Sequence, residues 1–120
     1  MTARIGSGGE DAMRVLIANA PRAYREVISV ALKALRPQFE VLTVEPEDLD
    51  EEISRLALYG VVCSRLTASV ESCAAAWIEL YPDHSSWTVV DLRGQRTRHP
   101  EMYLDGLLSF IDRAGLLYET

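Results

Sequence analysis

Reactive side chains are scarce in this chain: 120 residues include two cysteines, Cys63 and Cys73, and two histidines, His84 and His99. Both cysteines sit inside apolar runs, where a thiol serves as a small buried hydrophobe, so no disulfide is expected. Histidines so far apart, with cysteines at no ligand spacing, exclude an ordinary zinc site. Basic residues are also in deficit. Twelve Lys and Arg against eighteen Asp and Glu leave a net charge of −6. Nucleic-acid binding is therefore disfavoured, because it draws its affinity from an excess of bases on phosphates. Long apolar runs are missing too. No stretch reaches the roughly 18 residues that span a bilayer, and the N-terminus lacks the charged-then-apolar layout of a secretory signal. The expectation is a cytoplasmic protein with no membrane partner.

What is present fits one domain. At 120 residues the chain can bury a single core and has no room for a second. Residues 1–12 contain Ile5-Gly-Ser-Gly-Gly9, too flexible and too poor in apolar side chains to order themselves, and are expected to form a loose tail. Met13 stands directly before the first strand and is a candidate alternative start. Residues 13–120 then read as one compact α/β unit with short turns.

Val15 to Ala18 is apolar on both strand faces, which implies helices on both sides of the sheet. The spacing next predicts a helix whose buried stripe is Tyr24, Val27, Ile28, Ala31, Leu32 and Leu35. Arg22, Arg25, Glu26, Ser29, Lys33 and Arg36 fall opposite it, and Pro37 stops it. Phe39 to Val44 alternates as a less buried strand. Pro46, Glu47 and Asp48 open a helix carrying Leu49, Ile53, Leu56 and Ala57. Gly60 to Arg65 is a third strand, followed by a helix capped by Thr67 that buries Val70, Cys73, Ala74, Trp77, Ile78 and Tyr81 and ends at Pro82. Trp87 to Leu92 is a fourth strand, with a tight hairpin at Arg93-Gly94 leading into Gln95 to Arg98. The last helix, near Tyr103 to Ala114, buries Leu107, Leu108 and Ile111 and closes at Gly115. Alternating strands and helices predict a three-layer, doubly wound, mostly parallel sheet with a C-terminal hairpin edge and a final helix.

Arg14-Val-Leu-Ile-Ala-Asn-Ala20 resembles the first strand of a response-regulator receiver domain, and Tyr59-Gly-Val-Val-Cys-Ser-Arg65 resembles the strand leading to its phosphoacceptor. The similarity spans about residues 13–92 and implies a flavodoxin-like fold. In that family an acidic pair follows the first strand, and Asn19 and Ala20 take those positions here. The phosphoacceptor aspartate's place falls on Arg65, or on Ser64 if the register slips by one. Past Leu92 the likeness ends, with no apolar strand leading to the lysine that contacts phosphate. Receiver chemistry needs Mg²⁺ held by carboxylates to offset the incoming phosphoryl charge. One neutral carbonyl and a guanidinium cannot supply that. The resemblance thus implies a receiver-like domain without the phosphorylation switch, without a metal and without a cofactor.

In open α/β sheets the crevice lies beyond the carboxyl ends of the strands where strand order reverses, here between the first and third. Asn19, Arg22, Ser64, Arg65 and Thr67 are expected to converge there and to hold a phosphate or carboxylate. The structural alternative has Asn19 and Thr67 capping helices, Ser64 bonded to backbone, and Arg65 paired with an acid such as Asp91. Glu47, Asp48, Asp50, Glu51 and Glu52 point in different directions along a helix and read as a solvated face. Arg93, Arg96, Arg98 and His99 form a basic patch that either docks a partner or keeps an edge strand from aggregating. Asp83, His84 and Ser85 lack the glycines of a nucleophile elbow, and Cys63 with Arg65 lacks a phosphatase loop. Trp77 and Tyr81 read as core.

These residues favour an interaction module over an enzyme. Arg93, Arg96, Arg98, Tyr103 and Phe110, with Tyr118, are the expected contact surface for a protein partner or a homodimer. The alternative is a small anionic ligand, or a minor enzymatic activity, in the Asn19/Ser64/Arg65 crevice.

Overall fold

The computed structural model describes residues 13–55, 60–82 and 86–119. The predicted tail at residues 1–12 lies outside them, as do Leu56, Ala57, Tyr59 and the Asp83 to Ser85 run. Six strands form one sheet: β1 (Arg14–Ala18), β2 (Glu40–Thr43), β3 (Gly60–Cys63), β4 (Ala76–Glu79), β5 (Thr88–Leu92) and β6 (Gln95–His99). Their order is β2-β1-β3-β4-β5-β6. β2, β1, β3 and β4 are mutually parallel, and β5 runs antiparallel to both of its neighbours, β4 and β6, so the sheet is mixed. The helices are α1 (Arg22–Leu35), α2 (Leu49–Arg55) after a 3-10 turn at Pro46–Asp48, α3 (Ala68–Cys73) and α4 (Leu104–Glu119).

Strand periodicity divides the core. Val15 and Ile17 point to one face, where Ile28 and Leu32 of α1 and Leu107, Phe110 and Ile111 of α4 cover them. Leu16 and Ala18 point to the other, against Leu49, Ile53, Val70 and Trp77. β1 is buried on both faces because it lies between β2 and β3 and under helices on each side. Each fully buried Leu or Ile contributes about 1.5–3 kcal/mol.

The helix predicted across Thr67 to Tyr81 stops at Cys73, and Ala76–Glu79 is a strand instead. Thr67 does cap α3, its Oγ1 accepting from Val70 N at 3.2 Å. Trp77, Ile78 and their neighbours fit a helical period, but they fill the slot between β3 and the hairpin, with Val61 opposite Trp77 and Trp77 opposite Asp91. Pairing on both sides overrides the helix propensity of Ala74-Ala75-Ala76, and Trp and Ile suit a buried strand. α3 shrinks to a six-residue crossover.

α1 is rotated from the predicted stripe. Ile28 and Leu32 are buried, but so are Arg25 and Ser29, whereas Tyr24, Val27 and Leu35 face outward. Arg25 is accommodated because its guanidinium binds both Glu45 carboxylate oxygens, at 2.8 and 2.9 Å, and donates to the Asn19 carbonyl at 3.1 Å. α4 runs on past Gly115, where the sequence predicts its end. A Cβ there would stand 3.1 Å from Phe39 Cζ, so the glycine serves close helix-to-ring contact. The hairpin matches its prediction. Arg93 and Gly94 have φ of +53° and +89°, the mirror-image turn that matches strand twist.

Two expectations follow. Gly94→Ala should destabilise by about 1 kcal/mol in a denaturant titration, because the left-handed conformation penalises a Cβ that otherwise meets nothing. Arg36 clamps α1 to α4 through Asp112, at 2.7 and 2.9 Å, and this hydrogen-bonded guanidinium holds the Asp112 carboxyl below its ordinary value. A depressed folded-state value stabilises the fold above the unfolded carboxylate range and loses that contribution as pH falls through the folded value. Asp112→Asn should therefore flatten the acid limb of a stability-against-pH curve.

Candidate functional site

β1 and β3 end side by side, Ala18 opposite Cys63, and the chain leaves them in opposite directions across the sheet. A crevice of about 430 Å³ opens beyond these ends, lined by Ala18, Ala20, Ser64, Arg65 and Thr67 on one side. Pro46, Glu47, Leu49 and Asp50 form the other wall. Ser64 Oγ accepts from Ala20 N at 3.0 Å and ties the two strand ends together. Thr67 Oγ1 donates to Asp50 Oδ1 at 2.7 Å while capping α3.

Of the five residues expected to converge, three line this crevice: Ser64, Arg65 and Thr67. Asn19 does not. Its side chain follows Ile17 to the opposite face, is fully buried, and donates through Nδ2 to the Leu80 carbonyl at 2.8 Å. Asn19 Oδ1 is buried without a hydrogen-bond partner among the described residues. Arg22 also lies elsewhere, pairing with Glu26 at 2.7 Å beside a different hollow lined by Arg25 and Glu45. The hydrogen bond that Arg22 donates to Glu26 raises the guanidinium's proton affinity further. The suggested Arg65–Asp91 pair is not made. Asp91 accepts from Gly94 N and from Arg96.

Glu47 and Asp50 are the residues the sequence reading missed. Three positions apart around the 3-10 turn and the start of α2, they face the same crevice, which i,i+3 spacing could have revealed. Arg65 therefore looks across at two carboxylates, one already holding Thr67. An entering phosphate would meet more negative charge than positive. A divalent cation fares no better: no group of three or more His, Cys, Asp or Glu among the described residues is arranged to hold one. The receiver's Mg²⁺ does not fit these residues.

Cys63, at the end of β3, is core rather than nucleophile: burial, with the Glu79 charge adding to it, pushes its thiol up to about 12. Cys73 is exposed, contrary to the buried role expected of it, and both cysteines are free. Glu79 is itself buried, accepting from Leu66 N at 2.9 Å and so fixing the loop after β3.

The expected contact surface divides. Arg96 lies 4.9 Å over the Trp77 ring and pairs with Glu71 at 2.8 Å and Asp91 at 3.2 Å. Arg98 stacks 4.7 Å over Trp87, and Arg93 donates to the Leu117 carbonyl at 3.4 Å. Arg93 and Arg96 thus fasten the hairpin to α3, β4 and α4, while Arg98 stays at the hairpin's own base. Phe110 is 3 % exposed and belongs to the core, and Tyr118 is half-buried. Tyr103 is exposed as expected, beside Leu104. Together with Tyr24, Val27, Ala31 and Tyr81 they line an apolar groove of about 260 Å³ between α1 and α4. Tyr24 and Tyr81 meet edge to face at 5.8 Å.

No protein-family model matches the chain, and neither the curated proteins nor the solved structures contain a match. Among the described residues, no helix is long and apolar enough to cross a membrane.

Asn19→Asp tests why no acid stands at the end of β1. A carboxylate there would face the Leu80 carbonyl with no proton to donate, so the variant should lose about 3 kcal/mol at neutral pH. The loss should shrink under acid conditions, where a protonated carboxyl can donate, and thermal melts across pH measure both.

Proposed function

We propose that this chain is a receiver-like signalling module of flavodoxin-like build that is not switched by phosphorylation and works through protein–protein contacts. The strand order β2-β1-β3-β4, all parallel, supports the fold reading, since doubly wound sheets of this class share that order. The antiparallel pairing of β5 with β4 and β6 departs from it. The observation that carries the functional reading is a transfer of chemistry away from the crevice. At the strand ends an amide is committed to a buried backbone bond and a guanidinium faces two carboxylates, while apolar and aromatic side chains stand exposed between α1 and α4. Exposed apolar patches of this kind mark contact surfaces. On this reading the protein is not an enzyme, resides in the cytoplasm, and needs no cofactor or metal.

A second reading keeps the crevice as a site for a small anionic ligand, or for a minor enzymatic activity. It draws on the exposed Arg65 beside the Ser64 and Thr67 hydroxyls, and Glu47 and Asp50 oppose it.

Amide NMR separates the two. Magnesium with beryllium trifluoride, a phosphoryl mimic, should leave Ala20, Ser64 and Arg65 unmoved, as should nucleotides and phosphorylated metabolites. Saturable shifts with the mimic overturn the proposal, and saturable shifts with a metabolite transfer the function to the second reading.

A further inference from the structure

α1 has apolar residues on two sides, although only one side faces the core. Ile28 and Leu32 are buried, whereas Val27 and Val30 are each 68 % exposed. Ala23 and Ala34 are exposed on the same side, so Ala23, Val27, Val30 and Ala34 form a seam at steps of four, three and four. That is the spacing at which two helices interlock side chains. A single exposed valine is ordinary, but an unbroken seam that continues through Tyr24 toward Tyr103 and Leu104 is not.

We propose that this seam joins two copies of the chain, α1 against α1 in antiparallel fashion about a two-fold axis. The inference deepens the interaction reading above and rests on it, naming the partner as a second copy. Two features of the sequence make the seam self-complementary. First, it is palindromic: turning the helix over places Val27 against Val30 of the partner subunit and Ala23 against Ala34 of the partner subunit, as an isologous contact requires. Second, charge follows the same symmetry. Glu26 and Lys33, both exposed, flank the seam on one side. In an antiparallel pair like sides meet, and Glu26 comes level with Lys33 of the partner subunit to within two residues of rise, roughly 3 Å. The pair forms twice. Glu26 already holds Arg22 at 2.7 Å, so the partner's Lys33 joins an existing ion pair at the rim. On the other side the seam is flanked by Tyr24 and Ala31, a large residue and a small one, so Tyr24 comes level with Ala31 of the partner subunit to the same tolerance. A parallel pair would set Glu26 beside Ala31 of the partner subunit and leave Lys33 without an opposite charge. Charge and shape thus select the antiparallel two-fold.

Sedimentation velocity of the full chain from micromolar to several hundred micromolar concentrations should show the mass climbing from monomer to dimer. Val27→Lys with Val30→Lys should abolish the climb while leaving the circular dichroism unchanged, since both positions are exposed. Lys33→Glu should weaken association by about tenfold, on the order of 1.4 kcal/mol. Adding Glu26→Lys to it should restore association, because the exchanged charges still meet. A wild-type chain that stays monomeric throughout overturns the assignment of a second copy, leaving the face to a different partner. A dimer indifferent to the lysine pair, or a charge exchange that fails to rescue, also overturns it. The crevice titration is a separate measurement, so a failure of this proposal can be told apart from a failure of the interaction reading on which it rests.

Discussion

One hydrogen bond decides what the end of β1 can be: the Asn19 side-chain amide donating to the Leu80 carbonyl. It reaches from β1 past β3 to the residue that follows β4, and Leu80 N in turn donates to the Cys63 carbonyl of β3 at 2.7 Å, so three parallel strands are tied together at their carboxyl ends. Only a donor can occupy that position. An amide satisfies a buried carbonyl that a carboxylate would leave orphaned and repel. The neighbouring Asn19 carbonyl then accepts from Arg25, whose guanidinium continues to Glu45 beyond β2. From one residue the network runs across four of the six strands.

The sheet has a helical layer on each face, but the layers are unequal. α2 and α3 have seven and six residues, whereas α1 and α4 have fourteen and sixteen. The longer pair has more surface than the core beneath can use. Arg25 and Ser29 turn inward on α1, one held by ion pairs, and Val27, which the spacing places on the buried stripe, is rotated out. The exposed apolar face is thus a consequence of how α1 is anchored at its first turn.

Much of the fold was legible because its signals were local. The apolar run of β1, the Thr67 cap, the Arg93-Gly94 turn and the helix that follows each depend on residues near in sequence, and the structure has all four. The segment Ala76 to Glu79 was not legible, because its apolar residues satisfy both a helical and a strand period and only the neighbours β3 and β5 choose between them. The rotation of α1 was hidden for a similar reason: Arg25 reads as solvent-facing until Glu45 and the Asn19 carbonyl are found beside it. At the crevice, Ser64, Arg65 and Thr67 followed from strand ends alone, whereas Asn19 required knowing where Leu80 would be. Glu47 and Asp50 were visible as acids and missed as a pair.

The basic hairpin has a consequence for observing this molecule in solution. The chain holds two tryptophans, and each lies under a guanidinium from β6, Arg96 over Trp77 and Arg98 over Trp87. One indole is sealed in the core and the other is partly open to solvent. If the outermost strand peels away, both rings lose their cationic cover at once. Intrinsic fluorescence is therefore an optical reporter of that edge, with no label attached.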